Sequence, residues 1–436
     1  MYISFNNKPS PDEAAEPGDN GSADLAAEPG VKRPRGLRTV SSTVITLGIV
    51  SMLTDISSES VSAILPLYIT GVLGLSTIAF GVIDGLYQGV SAFVRIAAGY
   101  ASDRSDQPKW IAFIGYGLSA IARVGLLFAT GFGALTAVIT ADRIGKGIRT
   151  APRDSLITAT SSPDSLGASF GVHRTLDNIG AAIGPLLAFF ILLLIPDGYE
   201  TIFAASLAFA IIGVAILGFF VPNTRRVDAA AAPKAPRKKF AWGIVLRGPM
   251  RRVLAGAGIL GLLTIGDGFV YLVLQSRSDF AAQWFPLLYV GTNVVFLACA
   301  IPMGRLADRV GRARVFVFGH VGLLAAYVVA ALPLADIAST LLCLVFLGAF
   351  YAATDGVLAA LAAQLTTPET RGTGIAAAQT VVAVSRLVAA SGFGLLWFTL
   401  GREQSMYVVA GLLVVAVIAV AILFRPFLSS TRSLIT

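Results

Sequence analysis

Twelve apolar runs divide the chain after about residue 38. They cover 41–70, 77–100, 110–130, 133–158, 167–195, 199–221, 251–275, 281–303, 313–334, 336–365, 371–400 and 404–427. Each is roughly 20 to 30 residues, and about 20 apolar residues in a helix cross the hydrocarbon core of a bilayer. Backbone polar groups in lipid must be satisfied within the segment, so runs of this length predict helices. Two longer polar stretches interrupt the pattern. Residues 1–38 are rich in Ala, Pro, Gly, Asp and Glu and turn basic at Lys32, Arg33, Arg35 and Arg38. They lack the apolar core of a signal peptide and predict a disordered tail. Residues 222–250 carry Arg225, Arg226, Lys234, Arg237, Lys238, Lys239 and Arg247 among Pro and Ala, which predicts a linker. Residues 39–221 and 251–428 then form two six-helix units, with a short tail at 429–436.

Composition agrees. Of 436 residues only 13% are charged, and the mean hydropathy is +0.76. This is the profile of an all-α integral membrane protein in the lipid bilayer. The net charge of +8 does not call for nucleic acid, because the basic residues sit in alternate loops. The other loops hold only Arg277 and Arg402. That asymmetry predicts that both termini are cytoplasmic. Cys299 and Cys343 both lie in apolar runs and are expected to pack rather than to bridge.

The halves repeat one another. Gly99, Asp103, Arg104 and Lys109 recur as Gly304, Asp308, Arg309 and Arg314, all at an offset of 205 positions. Ser162-Pro163-Asp164 with Gly167 recurs as Thr367-Pro368-Glu369 with Gly372 at the same offset. A constant offset over two separate matches points to one unit used twice. The first set is a short charged turn between apolar runs. Its Asp-Arg pair suits charge-assisted bonds to a neighbouring helix end.

Charges inside the spans are costly in lipid, about 2.5–3.5 kcal/mol each at a helix centre, so they face a cavity or a partner. The first half holds most of them: Asp55 and Glu59 on the first span, Asp84 and Arg95 on the second, and Arg123 on the third. The fourth has Asp142, Arg143, Lys146, Arg149, Arg153 and Asp154, and the fifth His173, Arg174 and Asp177. The second half has Asp267, Asp355 and Arg386. Asp55 and Glu59 are one turn apart and share a face. Lys146, Arg149 and Arg153 form a basic stripe. Asp142 has the spacing to neutralise Lys146, and Asp177 to pair with His173 or Arg174. Each such pair has a plain reading as an internal salt bridge; the group together predicts a polar path. Gly145-Lys146-Gly147 follows no strand and lies in a span, which excludes a phosphate loop. His173 and His320 are far apart and no metal cluster or nucleophile motif is present, so neither an enzyme, a metal site nor a cofactor is expected.

Several of these residues resemble motifs of the major facilitator superfamily. The two charged turns resemble its motif A, most closely at Gly304, Asp308, Arg309, Gly311 and Arg312. Arg143-Ile-Gly-Lys146-Gly147 resembles motif B, with Lys146 where that motif has Gln. Gly171, Gly180, Gly184 and Pro185 resemble motif C, with Ala188 and Phe189 in place of two further glycines. The run from Asp142 to Asp154 is also similar to a bacterial branch of exporters. The resemblance covers the chain after residue 38. It implies twelve helices in two pseudo-symmetric bundles, a bacterial inner-membrane location, a monomer, and a small-molecule substrate moved by alternating access.

The leading expectation is proton-coupled efflux of a small organic solute. Asp55, Glu59, Asp84, Arg143 and Asp177 are the residues for handling the proton. Lys146, Arg149, Arg153, His173, Arg174, Asp267, Asp355 and Arg386 line the substrate path. Gly99, Asp103, Arg104, Gly304, Asp308 and Arg309 gate it. In the family, the motif B arginine is associated with proton transfer and motif C with export. Proton symport of an organic anion or sugar is the alternative, since the basic stripe suits an anion in either direction. A ligand sensor that moves nothing is the third, and no soluble domain supports it.

Overall fold

The computed structural model describes residues 40–102, 107–223, 248–333, 337–367 and 370–429. The gate residues Asp103 and Arg104, the linker's centre and both tails lie outside them. The first half comprises α1 (Ser42–Ser62), α2 (Thr77–Ser102), α3 (Pro108–Leu126), α4 (Phe132–Ala159), α5 (Leu166–Leu194) and α6 (Tyr199–Phe220). The second has α7 (Gly248–Gly261), α8 (Asp267–Ser278), α9 (Phe285–Val310), α10 (Arg312–Ala331), α11 (Ile337–Gln364), α12 (Arg371–Leu400) and α13 (Arg402–Leu423), closed by the short α14 (Arg425–Ser429). This is the expected all-α membrane fold of twelve spans, with α7 and α8 together forming the seventh. Among the described residues, nine helical stretches are by themselves long and apolar enough to cross a bilayer. The other spans are α3, α4 with its charges, and the broken seventh.

That break is where the expected continuous run at 251–275 differs from the fold. Thr264 and Gly266 interrupt the helix, and Tyr327 of α10 repairs the exposed backbone. Its hydroxyl accepts from Ile265 N (2.9 Å) and donates to the Leu263 carbonyl (3.0 Å). The first span also changes character: after Ser62 the chain continues through Leu65–Leu67 into a wide π-helical turn at Tyr68–Val72.

Within the first half α1 packs on α5 and α6, α3 on α4 and α6, and α2 on α4; in the second, α11 packs on α9 and α10. Large apolar side chains such as Phe128, Phe219 and Phe318 point outward, as a lipid-facing surface requires. The halves meet where α2 lies on α12 and α5 on α9. Glycines on α2 permit this: a Cβ at Gly85 would stand 2.7 Å from the Leu387 carbonyl oxygen. Thr77 donates to the Gly394 carbonyl (3.0 Å). Phe80, Phe269 and Phe393 stack edge to face at 4.6 and 4.9 Å, and Phe189 meets Trp284 at 5.4 Å. These contacts cluster toward the turn at 73–76, here termed the far side. The halves are in contact there, and a polar cavity lies toward the opposite, terminal side.

Loop charge predicts that the terminal side is cytoplasmic. Single cysteines in a background lacking Cys299 and Cys343 are expected to label in intact cells with an impermeant thiol reagent at 198 and 402. Positions 235 and 310 are expected to stay protected. Labelling at 235 would overturn the predicted orientation.

Candidate functional site

The charges of the first half separate into a buried framework and an open cavity. Asp142 is the hub of the framework. It receives Arg123 of α3 at 3.2 Å and Nε of the adjacent Arg143 at 3.0 Å, with a second bond from the same guanidinium. All three are 2% exposed. Arg123 also donates to Ser57 of α1 (3.3 Å), and Arg143 lies 3.8 Å over the Tyr87 ring of α2. The hub therefore ties four helices together. The predicted pairing of Asp142 with Lys146 is not formed. Two buried guanidiniums, each a fork of donors, occupy the carboxylate instead. Arg143 bonds Asp142 and lies over Tyr87, with Glu59 of α1 within its electrostatic range.

Glycines explain why Lys146 points elsewhere. A Cβ on Gly145 would stand 2.6 Å from the Gly115 carbonyl oxygen of α3, and one on Gly147 3.1 Å from the Ser91 carbonyl oxygen of α2. Helix α4 is thus pressed between α3 and α2 on either side of residue 146. The lysine leaves into the space between helices.

That space is a cavity of about 190 Å³, lined by α1, α2, α4 and α5. Among the described residues, Arg95, Lys146, Arg149, Arg153 and Arg174 face it, with Thr150 and the carboxylates Asp55 and Asp177. Arg149 reaches Asp55 at 3.9 Å, donates to Ser119 (3.2 Å) and lies 4.7 Å over the Tyr116 ring. Arg153 is held by Asp154 (2.9 Å) and Ser51 (3.2 Å). Ser51 donates to Asp177 (2.6 Å), which also takes Arg174 at 3.4 Å. Arg95 donates across to Gln379 of α12 (3.0 Å). His173 is buried outside the cavity lining, and its Nε2 has no partner among the described residues. Glu59 does not line the cavity; its Cβ faces Gly184 of α5.

The second-half charges form a separate group. Tyr351 donates to Asp267 (2.6 Å), and Arg386 lies 5.5 Å from the Tyr351 ring. Asp355 is exposed one turn along α11. Asp84 of α2 belongs here rather than with Asp55, because its carboxyl packs on Gly266 beside Asp267.

The motif residues have identifiable work. Gly180 and Gly184 let α5 lie directly on α1: a Cβ on Gly184 would stand 2.8 Å from Ser60 N. Pro185 continues that buried face. Gly171 has open space around it. Asp308 takes Arg312 at 3.1 Å, and Arg312 donates to the Ala360 carbonyl of α11 (3.1 Å). Asp308 and Arg312 thus form a clasp within the second half, while the corresponding first-half residues Asp103 and Arg104 lie outside the described residues. Gly304 and the exposed Arg309 flank it, and Gly99 lies in the last turns of α2. Sequence reading missed Ser51, Ser119, Tyr87 and Tyr116 as partners. Hydroxyls and rings in apolar runs carry no signal until the helices are assembled.

The comparisons agree with this architecture. The sequence profile described as Major Facilitator Superfamily matches residues 47–293 and 276–433. An MFS-type transporter of Methanocaldococcus jannaschii is 29% identical over 375 residues, covering 83% of this chain and 89% of that protein. Among solved structures, the nucleoside transporter NupG superposes with a TM-score of 0.75 at 15% identity, over 88% of this chain and all of that one. An inward-facing bacterial homolog of the human lysosomal transporter Spinster gives 0.70 at 16% identity, over 88% and 97%. With its sequence matched along most of its length and its twelve spans built as theirs are, the chain belongs to the major facilitator superfamily of membrane transporters.

Proposed function

We propose that this transporter moves a small organic anion together with a proton, from a cavity whose charge is set by Arg149 and Asp55. The observation that carries the reading is the imbalance in the cavity: five cations face two carboxylates. Arg149, Arg153 and Arg174 have carboxylate partners in Asp55, Asp154 and Asp177, yet the lining as a whole stays cationic, and a cleft lined by one sign of charge favours a ligand of the other. The volume matches the share of about six waters, which suits a small solute. The proton side follows from the Arg149–Asp55 pair. A proton on Asp55 cancels its charge and leaves the guanidinium to the anion. Proton and anion therefore assist one another in binding. Ligands that assist one another and leave together move in one direction, which is symport.

Efflux by antiport, the leading expectation from sequence, needs substrate and proton to compete for one site. A cationic solute competing for Asp55 would also meet five positive groups. The spacing of Gly180 and Gly184, which prompted the export reading, is accounted for by the packing of α5 on α1. Cytoplasmic termini and a bacterial inner-membrane setting remain part of the proposal, with the cavity then open to the cytoplasm.

The test is a thermal-shift panel on the purified protein, using mono-, di- and tricarboxylates, organic phosphates, neutral sugars and cationic dyes. At least one anion is expected to raise the melting temperature, more strongly at acidic than at alkaline pH. In Asp55→Asn that pH dependence should vanish, leaving the acid-form affinity throughout. A response to cationic dyes alone would overturn the proposal.

A further inference from the structure

We propose that Asp84 and Asp267 form a proton-binding site, separate from the anion cavity, that latches the far side of the protein shut. The two acids come from opposite halves of the molecule. Asp84 lies on α2, and its carboxyl fills a notch at Gly266, the residue that precedes α8. A Cβ on Gly266 would stand 2.9 Å from Asp84 Cγ and closer still to its oxygen. Asp84 Oδ2 is buried and has no hydrogen-bond partner among the described residues.

Among the described residues, several charged or titratable groups lie around it, with Tyr271 and Tyr327 near Asp267. Helix α8 supplies Asp267, whose Oδ1 is taken by Tyr351 of α11. Helix α12 supplies Arg386, whose buried Nε is also without a partner. Helix α9 supplies Tyr289, and α11 adds Asp355 beyond Asp267. Glu59 of α1 and Tyr87, one turn along α2, lie further off. Two carboxylates from opposite halves thus lie at one seam, with Arg386 within electrostatic range of both. A proton on Asp84 removes the buried negative charge that its partnerless oxygen otherwise carries.

The location makes that proton a latch. The seam is the contact of α2 with α8 and α12, sealed by Phe80, Phe269 and Phe393. Opening the far side must lift α2 away and carry Asp84 out of the notch, into water and away from Asp267. In water and away from Asp267 the Asp84 carboxylate carries its charge without that cost. By linkage, whatever binds the closed state more tightly holds it closed. Acid therefore closes the far side and alkali opens it. The carboxyl of Asp84 does this without touching the anion.

The experiment reads the gate in the absence of any substrate, so its result is independent of which solute is carried. Spin labels at 76 and 404, on the two halves of the far side, report their separation by double electron–electron resonance across pH 5 to 9 (values on the order of those spanning carboxyl and imidazole titration). Wild type is expected to shift from the short to the long distance as pH rises. Asp84→Asn, neutral at every pH, should stay short throughout. Gly266→Ala, which pushes a methyl into the carboxyl, should raise the long population at every pH, and Asp84→Ala in that background should return it. A wild-type distance that ignores pH, or an Asp84→Asn protein that follows the wild-type curve, overturns the proposal.

Discussion

Asp142→Asn is expected to destabilise the protein by about 3–5 kcal/mol, the usual consequence of removing one partner from a buried ion pair. The carboxylate is the shared counter-charge of Arg123 and Arg143, and all three groups are 2% exposed. The amide keeps the shape but leaves two guanidiniums facing each other with no negative charge between them. Arginine does not escape by losing its proton. The lost energy also loosens the junction of α1, α2, α3 and α4, since Arg123 continues to Ser57 and Arg143 to the Tyr87 ring. Thermal unfolding of the detergent-solubilised protein measures it. Removing one of the stranded cations, by Arg123→Met in the same protein, should recover part of the loss. A melting temperature unchanged by Asp142→Asn would mean that the triad is not a structural hub.

Lys146→Gln is expected to weaken anion binding roughly 10- to 150-fold, the equivalent of a charge-assisted bond of about 1.5–3 kcal/mol, with little effect on stability. The lysine lies in the cavity wall and outside the framework, within electrostatic range of Asp55, and the packing of Gly145 and Gly147 sets its direction. Asp55→Asn should act in the opposite sense and tighten anion binding at neutral and alkaline pH, because it frees Arg149 from its partner 3.9 Å away. Titration calorimetry with the best anion of the panel separates the two. Equal weakening by both substitutions would mean that Asp55 contacts the substrate rather than competing with it.

The spans were legible because lipid imposes one rule along the whole chain: about 20 apolar residues per crossing. The twelve runs at 41–70 through 404–427 correspond to the helices found, apart from the interruption at 262–266. There Leu262 and Leu263 keep the run apolar while Thr264 and Gly266 end the helix, so hydropathy alone passes over it. The candidate site was legible as a set of residues but not as a set of pairs. Spacing along one helix suggested Asp142 with Lys146. The fold instead gives Asp142 to Arg123 on α3, a partner that only assembly brings near. Arg174 and Asp177, whose three-residue spacing is local, do pair as predicted. Asp84 was grouped with Asp55 by charge and by half; its place against Gly266 depends on the halves docking, which no local pattern records.

Proteoliposomes loaded with no substrate, given a pH gradient and the best-binding anion of the panel outside, test the central claim most directly. If a proton and the anion travel together through the Asp55–Arg149 pair, the labelled anion accumulates inside only when the outside is acidic, and Asp55→Asn exchanges it without gradient-driven accumulation. Accumulation only when the inside is acidic would be antiport, and would contradict the account.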